Sequence, residues 1–557
     1  MVSFKEAFAL PKSEVDQATP PGTAKLIDNE LVRTETGHHE HNEKHIHLQP
    51  EPSADPADPL NFAQWRKYAI LALMSVYAFI SNTQSAILSS AFPKMVTAWA
   101  VFSDRGPPTG IVPFPRLVYL ISVNSLLLGA SNLLWVPLSN TFGRRPIILI
   151  CLLLLTVCSI WAAEAKSFNS LLAARVFTGM GGAAADTLAP DVVGQIFFVH
   201  ERGRSMAVYT IFLTAGSLVG GVVGGYIAYN IGWRWTMWLH VILAGAVFLG
   251  CLFFLPETLF DRESALAAAH DETGNGSDIE KEKTGTVERI NSQVFPPYTF
   301  SRSIGFMKPR PGIFGRFITP FKTLRYPGTI MVCLHYAGLV GLIVTISSGA
   351  NAGLLNIGGL VGAILGAIYT YFTADWITKR AARKEQHGYA EPEKRLPLMI
   401  PALVIATGGS LVFGFVAQNP SPNGWVGLNA GMGMVAFGLM QVPSIGFNYI
   451  IESYGRWASD CFLMVVSFRA IISFAWTFFV GEWVTEAGAA IPFGVFAALM
   501  AVFGLTVIPV WLFGKRMRIA TANLGRDGQE VLLVLCFFAR RGKKSCRRSK
   551  EWRGWDM

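Results

Sequence analysis

Charged side chains that could bind or move a proton stand inside apolar stretches of this chain. Arg175 and Asp186 lie in a stretch that is otherwise apolar and rich in small residues. A charged residue in such a segment is costly in a membrane, and it usually faces the protein interior or a water-filled cavity. At about 100° per residue, Arg175 and Asp186 fall on one face of a helix, and Asp191 falls on nearly the opposite face. The pattern predicts proton binding and release at Asp186, influenced by Arg175.

Other polar side chains interrupt further apolar runs. His335 is the most informative of them, because histidine titrates near neutral pH, and we add it to the candidate coupling residues. The remaining candidates, which would line a substrate cavity, are Asn82, Gln84, Asn124, Asn356 and Gln441. Each of these also fits an ordinary interhelical hydrogen bond, which contributes about 0.6 kcal/mol on average in membranes.

Patterns of nucleotide hydrolysis and of metal catalysis are absent from the sequence. There is no P-loop sequence, G-x-x-x-x-G-K-[ST]. Five of the ten histidines lie within residues 38–47, which fits a metal-binding tract or, as we favour, a solvated tail. The seven cysteines include no C-x-x-C pair, so neither a disulfide framework nor a zinc site is indicated. We therefore expect no enzymatic activity, no cofactor and no metal site.

The composition indicates a polytopic membrane protein. The chain of 557 residues is 51% hydrophobic and 15% charged, whereas soluble proteins carry about 25% charged residues. Its apolar residues come in runs of about 20, which is the length that crosses a bilayer as a helix. We predict an all-α membrane protein with twelve spanning helices, near residues 68–91, 117–138, 146–163, 170–195, 205–229, 236–255, 327–347, 350–372, 397–417, 424–448, 461–485 and 489–513.

The predicted helices form two groups of six, separated by a long loop with a polar core. We expect a disordered cytoplasmic tail at 1–67, a first half at 68–255, a cytoplasmic loop at 256–326, a second half at 327–513 and a basic cytoplasmic tail at 514–557. Paired halves of this kind are typical of transporters whose substrate site lies near the middle of the membrane.

Basic residues predict the orientation of the chain. Lysine and arginine accumulate in the turns near residues 144–145, 202–204, 379–395 and 456, so these turns and both termini are expected in the cytoplasm. Residues 515–557 hold twelve Lys/Arg against four Asp/Glu. Beside a bilayer, this charge favours attraction to an anionic leaflet over nucleic-acid binding, because no nucleic-acid-binding fold accompanies it.

Two sequence motifs resemble the major facilitator superfamily, in particular its fungal drug:proton antiporter-like (DHA1-type) branch with twelve helices. Residues 175–183 resemble the superfamily's fourth-helix motif, R-x-x-x-G-x-G-G-A. Residues 216–225 resemble the helix-five antiporter motif, G-x-x-x-G-P-x-x-G-G, with Gly221 in place of the proline. Glycine also permits close packing and bending, so the antiporter interpretation is retained.

A third resemblance concerns the turn after the second helix. Residues 136–146 resemble the superfamily's loop 2–3 motif, G-x-L-x-D-R-x-G-R-R, and Asn140 replaces its acid. The resemblance implies a gate, to which we assign Gly143, Arg144, Arg145, Asp191, Gly216, Gly220, Gly224 and Gly225.

A fourth resemblance lies in the second half. Residues 448–454, followed by Arg469, resemble a pattern of the fungal members. We hypothesise that Glu452 and Arg469 pair across the tenth and eleventh helices as an inner gate.

The resemblance implies a secondary transporter that works by alternating access, as a monomer in the bilayer. We expect proton-coupled efflux of a small organic compound, such as a drug, toxin or secondary metabolite. The alternatives are proton-coupled import of a polyamine or similar nutrient, and a membrane sensor without transport. The plasma membrane is the expected location, with the vacuole as the alternative. Residues 101–115, the junction at 347–350 and the chain after 525 depart from the family pattern, and we interpret them as gene-model errors.

Overall fold

A computed structural model describes residues 4–18, 20–25, 49–50, 52–53, 55–92, 94–95, 114–260, 313–347, 352–384, 389–419 and 421–522. The histidine tract, most of the middle loop and the three stretches interpreted as gene-model errors lie largely or wholly outside these residues. The described regular structure is helical except for one pair of two-residue strands.

The first half contains eight helices in the described residues, because two of its membrane segments are interrupted. In chain order they are α3 (Gln64–Ala86), α4 (Phe114–Ala130), α5 (Asn132–Phe142), α6 (Arg144–Ala163), α7 (Phe168–Gly182), α8 (Ala184–Ile196), α9 (Val199–Asn230) and α10 (Trp233–Phe254). Two short helices precede them, α1 (Phe4–Ala9) and α2 (Lys12–Gln17). Strand β1 (Ala24–Lys25) follows α2.

The second half also contains eight α-helices in the described residues, but its breaks fall in different segments. Its elements in the described residues are α11 (Ile313–Thr323), α12 (Pro327–Ser347), α13 (Ala352–Lys384), strand β2 (Tyr389–Ala390), α14 (Met399–Gln418), α15 (Gly424–Tyr454), α16 (Ala458–Ala487), α17 (Ala490–Leu505) and α18 (Val507–Thr521). Elements α17 and α18 are consecutive parts of one apolar segment.

The helix lengths and compositions confirm the predicted membrane architecture. Within the described residues, ten helical segments are long and apolar enough to cross a membrane. The pair α11 and α12, bent by 80° at its break, gives an eleventh. The remaining predicted segment is divided at Ala183 into α7 and α8. All twelve predicted segments are therefore helical, and most extend several residues beyond the predicted limits, because the helices continue past the apolar core into polar flanks.

The most extensive contacts between the two halves are made by two pairs of helices. Helix α9 packs against α13, and α4 packs against α16. At the second contact, a Cβ atom added to Gly129 would lie 2.1 Å from the Ala470 Cβ. At the first contact, a Cβ atom on Gly221 would lie 2.1 Å from the Asn356 Nδ2. Small residues therefore let the halves approach closely, as is common between helices in membranes.

Glycines of the helix-five motif pack within the first half. Cβ atoms added to Gly216, Gly220 and Gly224 would lie 2.4, 2.9 and 2.1 Å from backbone carbonyl oxygens of α3 or of the residue after it. A Cβ atom added to Gly225 would lie 3.0 Å from the Ser90 Cβ. The spacing of four residues places Gly216, Gly220 and Gly224 on one face of α9, and this face lies directly on α3.

Residues 4–25, which we call the N-terminal segment, correct the prediction of a disordered tail for this part of the chain. Strand β1 pairs with β2 in antiparallel register, Ala24 opposite Ala390 and Lys25 opposite Tyr389. Helix α1 packs against α18, where the rings of Phe8 and Phe513 lie 5.7 Å apart. The segment therefore lies against the second half, although it precedes the first.

A buried arginine contributes to this contact. Arg518 donates hydrogen bonds to both carboxylate oxygens of Glu393, at 2.7 and 2.8 Å, and to the backbone oxygen of Pro21 at 2.7 Å. Bidentate arginine–carboxylate contacts are among the stronger hydrogen bonds in proteins. The polar composition that predicted disorder contains no sign of this partner, which is about 500 residues away in sequence.

Candidate functional site

A cavity of about 220 Å³ lies between the two halves. Its wall comes from α3, α4, α9, α12, α13, α15 and α16. The polar lining residues are Asn82, Ser85, Ser89, Ser122, Ser125, Thr214, Ser217, Tyr336, Asn356, Arg469, Ser473 and Thr477. Asn82 and Asn356, which the sequence predicts as lining residues of a substrate cavity, are among the residues that line this one, and their role in binding substrate stays a prediction.

The cavity lies away from the end of the bundle at which α6, α9 and α16 begin. We call this end the basic end, because it holds Arg144, Arg204 and Arg395. The residues of α3 that line the cavity lie near its C-terminal end. In α16 the first lining residue is Arg469, eleven positions after Ala458, where the helix begins. At 1.5 Å per residue, Arg469 thus lies about 16 Å from the beginning of α16.

An ion pair joins the two halves beside this cavity. The Arg469 Nη2 contacts the Asp186 Oδ2, so that α16 of the second half binds α8 of the first. Asn82 donates a hydrogen bond from Nδ2 to the other carboxylate oxygen of Asp186 at 3.1 Å. The guanidinium of Arg469 also lies over the ring of Tyr336, 5.1 Å from its centre. Asp186 is 2% exposed, whereas Arg469 lines the cavity.

The predicted pair of Glu452 and Arg469 is absent from this structure. Glu452 lies near the end of α15 at the basic end, and its carboxylate is 3.0 Å from the Arg395 Nη2. Arg469 lies near the middle of α16, which runs antiparallel from the same end. The two side chains are therefore separated along the bundle, although their helices are consecutive.

Arg175 shares a helix face with Asp186 in sequence, but the structure does not bring the two side chains together. Arg175 is fully buried and donates hydrogen bonds to the backbone oxygens of Leu120 and Gln84, at 3.2 and 2.8 Å, and of Ser85 at 3.4 Å. It thus links α7 to α3 and α4. Eleven residues and the break at Ala183 separate it from Asp186.

The other predicted polar residues are buried outside the cavity. The His335 Nδ1 hydrogen-bonds the Met331 backbone oxygen at 2.6 Å. The Asn124 Oδ1 accepts a hydrogen bond from Thr178 at 3.2 Å. The side chains of Gln84 and Gln441 have no hydrogen-bond partner among the described residues.

The predicted gating residues of the loop 2–3 motif come together at the basic end. The Arg144 Nη2 lies 2.5 Å from the Asp191 Oδ2, and Ser459 of the second half also donates a hydrogen bond to Asp191. Glu257 accepts hydrogen bonds from the backbone nitrogens of Arg144 and Arg145 at 3.0 and 3.1 Å. A carboxylate at the beginning of a helix is stabilised by the helix dipole.

Gly143 is the residue that permits this contact with Glu257. Its φ of +107° is a backbone conformation that other residues rarely adopt. A Cβ atom there would also lie 2.5 Å from the Glu257 Oε2.

A second network at the basic end was not predicted as a site. Asp375 of the second half lies 3.6 Å from the Arg204 Nε of the first half and 4.0 Å from the Arg395 Nη2. Arg395 in turn donates a hydrogen bond to the backbone oxygen of Val199 at 3.1 Å. In the sequence these arginines indicate only the orientation of the chain, because a basic turn also arises without any ion pair.

A bundle of two helical halves with a cavity between them is the architecture of secondary transporters built from paired repeats. The family model described as the Major Facilitator Superfamily matches residues 74–458. This chain belongs to that superfamily, and it is a multi-pass membrane transporter rather than an enzyme.

Several curated relatives come from fungi. The chain is 27% identical over 530 residues to an uncharacterized MFS-type transporter, C1271.10c, of Schizosaccharomyces pombe, covering 86% of this chain and 89% of the relative. It is 23% identical to protein HOL1 of Saccharomyces cerevisiae, over 89% and 93% of the two chains. It is 25% identical to the efflux pump FUBT of Fusarium oxysporum, over 75% and 67%.

Solved structures support the fold. The proton:xylose symporter XylE aligns with a TM-score of 0.54 at 13% identity, over 81% of this chain and 96% of its own. The human organic anion transporter MFSD10 aligns with a TM-score of 0.52 at 15% identity, over 79% and 99%. At these identities, the likeness concerns the fold alone.

Proposed function

We propose that this protein is a proton-coupled exporter of a small organic compound, and that Asp186 and Arg469 couple proton movement to transport. The observation that carries the proposal is the ion pair of these two residues across the two halves, beside the central cavity. Charged side chains are costly inside the membrane, and those that occur there commonly mark ion pathways. The presence of this pair therefore supports a role in proton coupling.

The proposed orientation places the basic end in the cytoplasm, because lysine and arginine accumulate in its turns. The cavity then lies toward the opposite side of the membrane. The hydrogen bond of Ser459 to Asp191 and the pair of Arg204 with Asp375 join the two halves and keep the cytoplasmic end closed in this state. The pair of Arg144 with Asp191 lies within the first half and holds Asp191 in place for this contact. The structure accordingly fits the outward-facing state of an exporter.

A proton on Asp186 would allow the return to the cytoplasm-facing state. An ionised Asp186 holds Arg469 across the interface, so the halves cannot separate there without breaking a buried pair. Removing one charge of such a buried pair destabilises the structure by about 3–5 kcal/mol. A proton that enters past Arg469 and binds a carboxylate oxygen of Asp186 would weaken the link, and its release on the cytoplasmic side would complete one exchange.

The direction of transport rests on similarity. FUBT of Fusarium oxysporum and FUB11 of Gibberella moniliformis are both named efflux pumps. Import of a polyamine is less well supported, because a polycation needs acidic side chains and none occurs among the described residues that line the cavity.

The experiment measures accumulation of a panel of labelled compounds in yeast depleted of its own exporters. Cells with the wild-type chain should retain less of at least one compound, and a protonophore should abolish the difference. Asp186→Asn should lose protonophore-sensitive export. Glu164→Gln, which changes an exposed carboxylate at the end of α6, serves as the matched control and should export normally. Export by Asp186→Asn at the wild-type rate with unchanged protonophore sensitivity contradicts the proposal.

A further inference from the structure

We infer that the transported compound is a small monocarboxylic acid, whose carboxylate binds the guanidinium of Arg469 in the central cavity. This inference rests on the proposed function and specifies its substrate class.

The first argument is the charge of the cavity wall. Arg469 is the one charged side chain among the described residues that line it. Its partner Asp186 is buried and does not contribute to the lining. A ligand in the cavity therefore meets a guanidinium group, and carboxylates match the planar fork of that group.

The second argument is the geometry of α16. Arg469, Ser473 and Thr477 follow each other at intervals of four residues, and all three line the cavity. Residues four apart lie on one face of a helix. A carboxylate at Arg469 would thus lie one helical turn from the Ser473 hydroxyl, which can donate a hydrogen bond to its free oxygen. The Thr477 hydroxyl donates to the Ser473 backbone oxygen instead.

The third argument is size and apolar surface. The cavity of about 220 Å³ is larger than an engineered cavity of about 150 Å³ that binds benzene. It is smaller than pockets for drug-sized ligands, which span about 300–1,000 Å³. Leu218, Val340 and Ile343 supply apolar surface. The space fits a single ring or a short hydrocarbon chain beside the carboxylate.

Asp186 and the bound acid would compete for the same guanidinium. In this structure Arg469 pairs with Asp186. An acid that binds Arg469 leaves an ionised Asp186 without its partner, so binding is favoured when Asp186 carries a proton. During export, Asp186 would release its proton to the cytoplasm while the acid is bound. As the cytoplasmic end closes, its carboxylate would regain Arg469 and displace the acid toward the opposite side, so that one proton enters for each acid that leaves.

The groups around Asp186 limit what else can cause a pH dependence. Arg469 of α16 is the charged side chain in contact with it, and phenols approach it from three helices, Tyr77 of α3, Tyr209 of α9 and Tyr336 of α12. Arginine and tyrosine ordinarily titrate at pH 10 or above. The pair of Asp191 with Arg144 is separate and lies at the basic end.

The test is binding of radiolabelled benzoate and hexanoate to the purified full-length protein. Both acids have ordinary carboxyl pKa values of about 4 to 5, so they are mostly ionised between about pH 5.5 and pH 7.5. Benzamide and benzylamine serve as neutral and cationic probes with the same ring. We expect both acids to bind at least tenfold more tightly than either of the other two probes.

The pH dependence distinguishes this site from unspecific adsorption. If one proton is taken up with each acid, the affinity should fall about tenfold per pH unit in this range. Asp186→Asn should remove that dependence and bind acids more tightly than wild type at about pH 7.5. Arg469→Gln should lose at least tenfold in acid affinity, and Arg469→Lys should retain part of it. The wild-type measurement needs no variant, so a misfolded variant does not prevent the test.

Several outcomes would overturn the substrate class. The first is that benzamide or benzylamine binds as tightly as the acids or more tightly. The second is that neither acid binds, and the third is that the wild-type affinity for the acids does not change with pH. Asp186-dependent export of a neutral or cationic compound would reject the acid while leaving the proposed function intact. Acid binding as described, without protonophore-sensitive export of either acid from cells, would leave the site assignment standing and reject the exporter.

Discussion

Asp186 of α8 and Arg469 of α16 form an ion pair that joins the two halves of the protein at the edge of the central cavity. The two residues are 283 positions apart in sequence. Asn82 of α3 completes the arrangement by its hydrogen bond to Asp186. Two helices of the first half and one of the second thus converge on a single carboxylate, and this convergence is the basis of the first prediction.

The first prediction concerns the stability of this pair. Asp186→Asn and Arg469→Gln should each lower the free energy of unfolding by about 3–5 kcal/mol, because each leaves one buried charge without its partner. The double variant should be closer to wild type than the Arg469→Gln single variant. Thermal unfolding of the four purified proteins measures the cycle, and additive losses would show that the two charges do not interact.

The second prediction concerns the closed basic end. Arg144 holds Asp191, which accepts the hydrogen bond of Ser459 from the second half. Arg144→Gln should weaken this contact, so the state with a closed cytoplasmic end should become less populated. In a cysteine-free background, Ser473→Cys reports access to the cavity from the opposite side. We expect labelling by a membrane-impermeant thiol reagent to fall at least threefold in Arg144→Gln.

Lys166→Gln is the matched control for this experiment. Lys166 is exposed and lies at the end opposite the basic end, so its replacement should leave labelling unchanged. Equal labelling in Arg144→Gln and wild type would show that the pair with Asp191 does not stabilise this state.

The third prediction concerns the glycines of α9. Gly224→Ala should lower the free energy of unfolding by about 1–3 kcal/mol, which is typical of overpacking, because its Cβ atom would lie 2.1 Å from the Ile87 backbone oxygen. Gly494→Ala in α17 is the control, since nothing lies within 4 Å of the added Cβ atom. That change should be neutral or stabilise by about 0.5–1 kcal/mol. Thermal unfolding in detergent measures both, and equal effects would mean that α3 and α9 tolerate a wider spacing.

The membrane helices could be predicted from the sequence because their signal is local. Each predicted segment is an apolar run of nearly spanning length, and such a run has few alternatives to a membrane helix. The contact of Arg144 with Asp191 could be anticipated in part, because both residues lie near predicted cytoplasmic ends. Helical spacing predicts Arg175 and Asp186 on one face, but the break at Ala183 lies between them.

Contacts between the halves could not be predicted in the same way. Helical spacing predicts which face of its helix a residue occupies, but not which other helix covers that face. The sequence therefore predicts Glu452 as the partner of Arg469, whereas the structure pairs Arg469 with Asp186 and Glu452 with Arg395. Arg175 binds backbone oxygens, and no side-chain pattern marks such partners.

The last prediction concerns the N-terminal segment, whose order depends on a close contact with the second half. Gly22 has a φ of +93°, and a Cβ atom there would lie 2.3 Å from the Glu452 backbone oxygen. Gly22→Val should therefore release residues 4–25 from the second half. Gly232→Val is the matched control, because Gly232 also has a positive φ, +124°, but has nothing within 4 Å of the added atom.

Hydrogen–deuterium exchange of peptides from residues 4–25 measures this release. The backbone hydrogen bonds between β1 and β2 should slow exchange in wild type and in Gly232→Val. In Gly22→Val exchange should become at least tenfold faster, because amides that lose their partners exchange with solvent. Transport should persist in both variants, since the ion pair of Asp186 and Arg469 is remote from the segment. Unchanged exchange in Gly22→Val would mean that the close approach of Gly22 to Glu452 is not needed. Arg518 and the pairing of the two strands would then be enough to hold the segment.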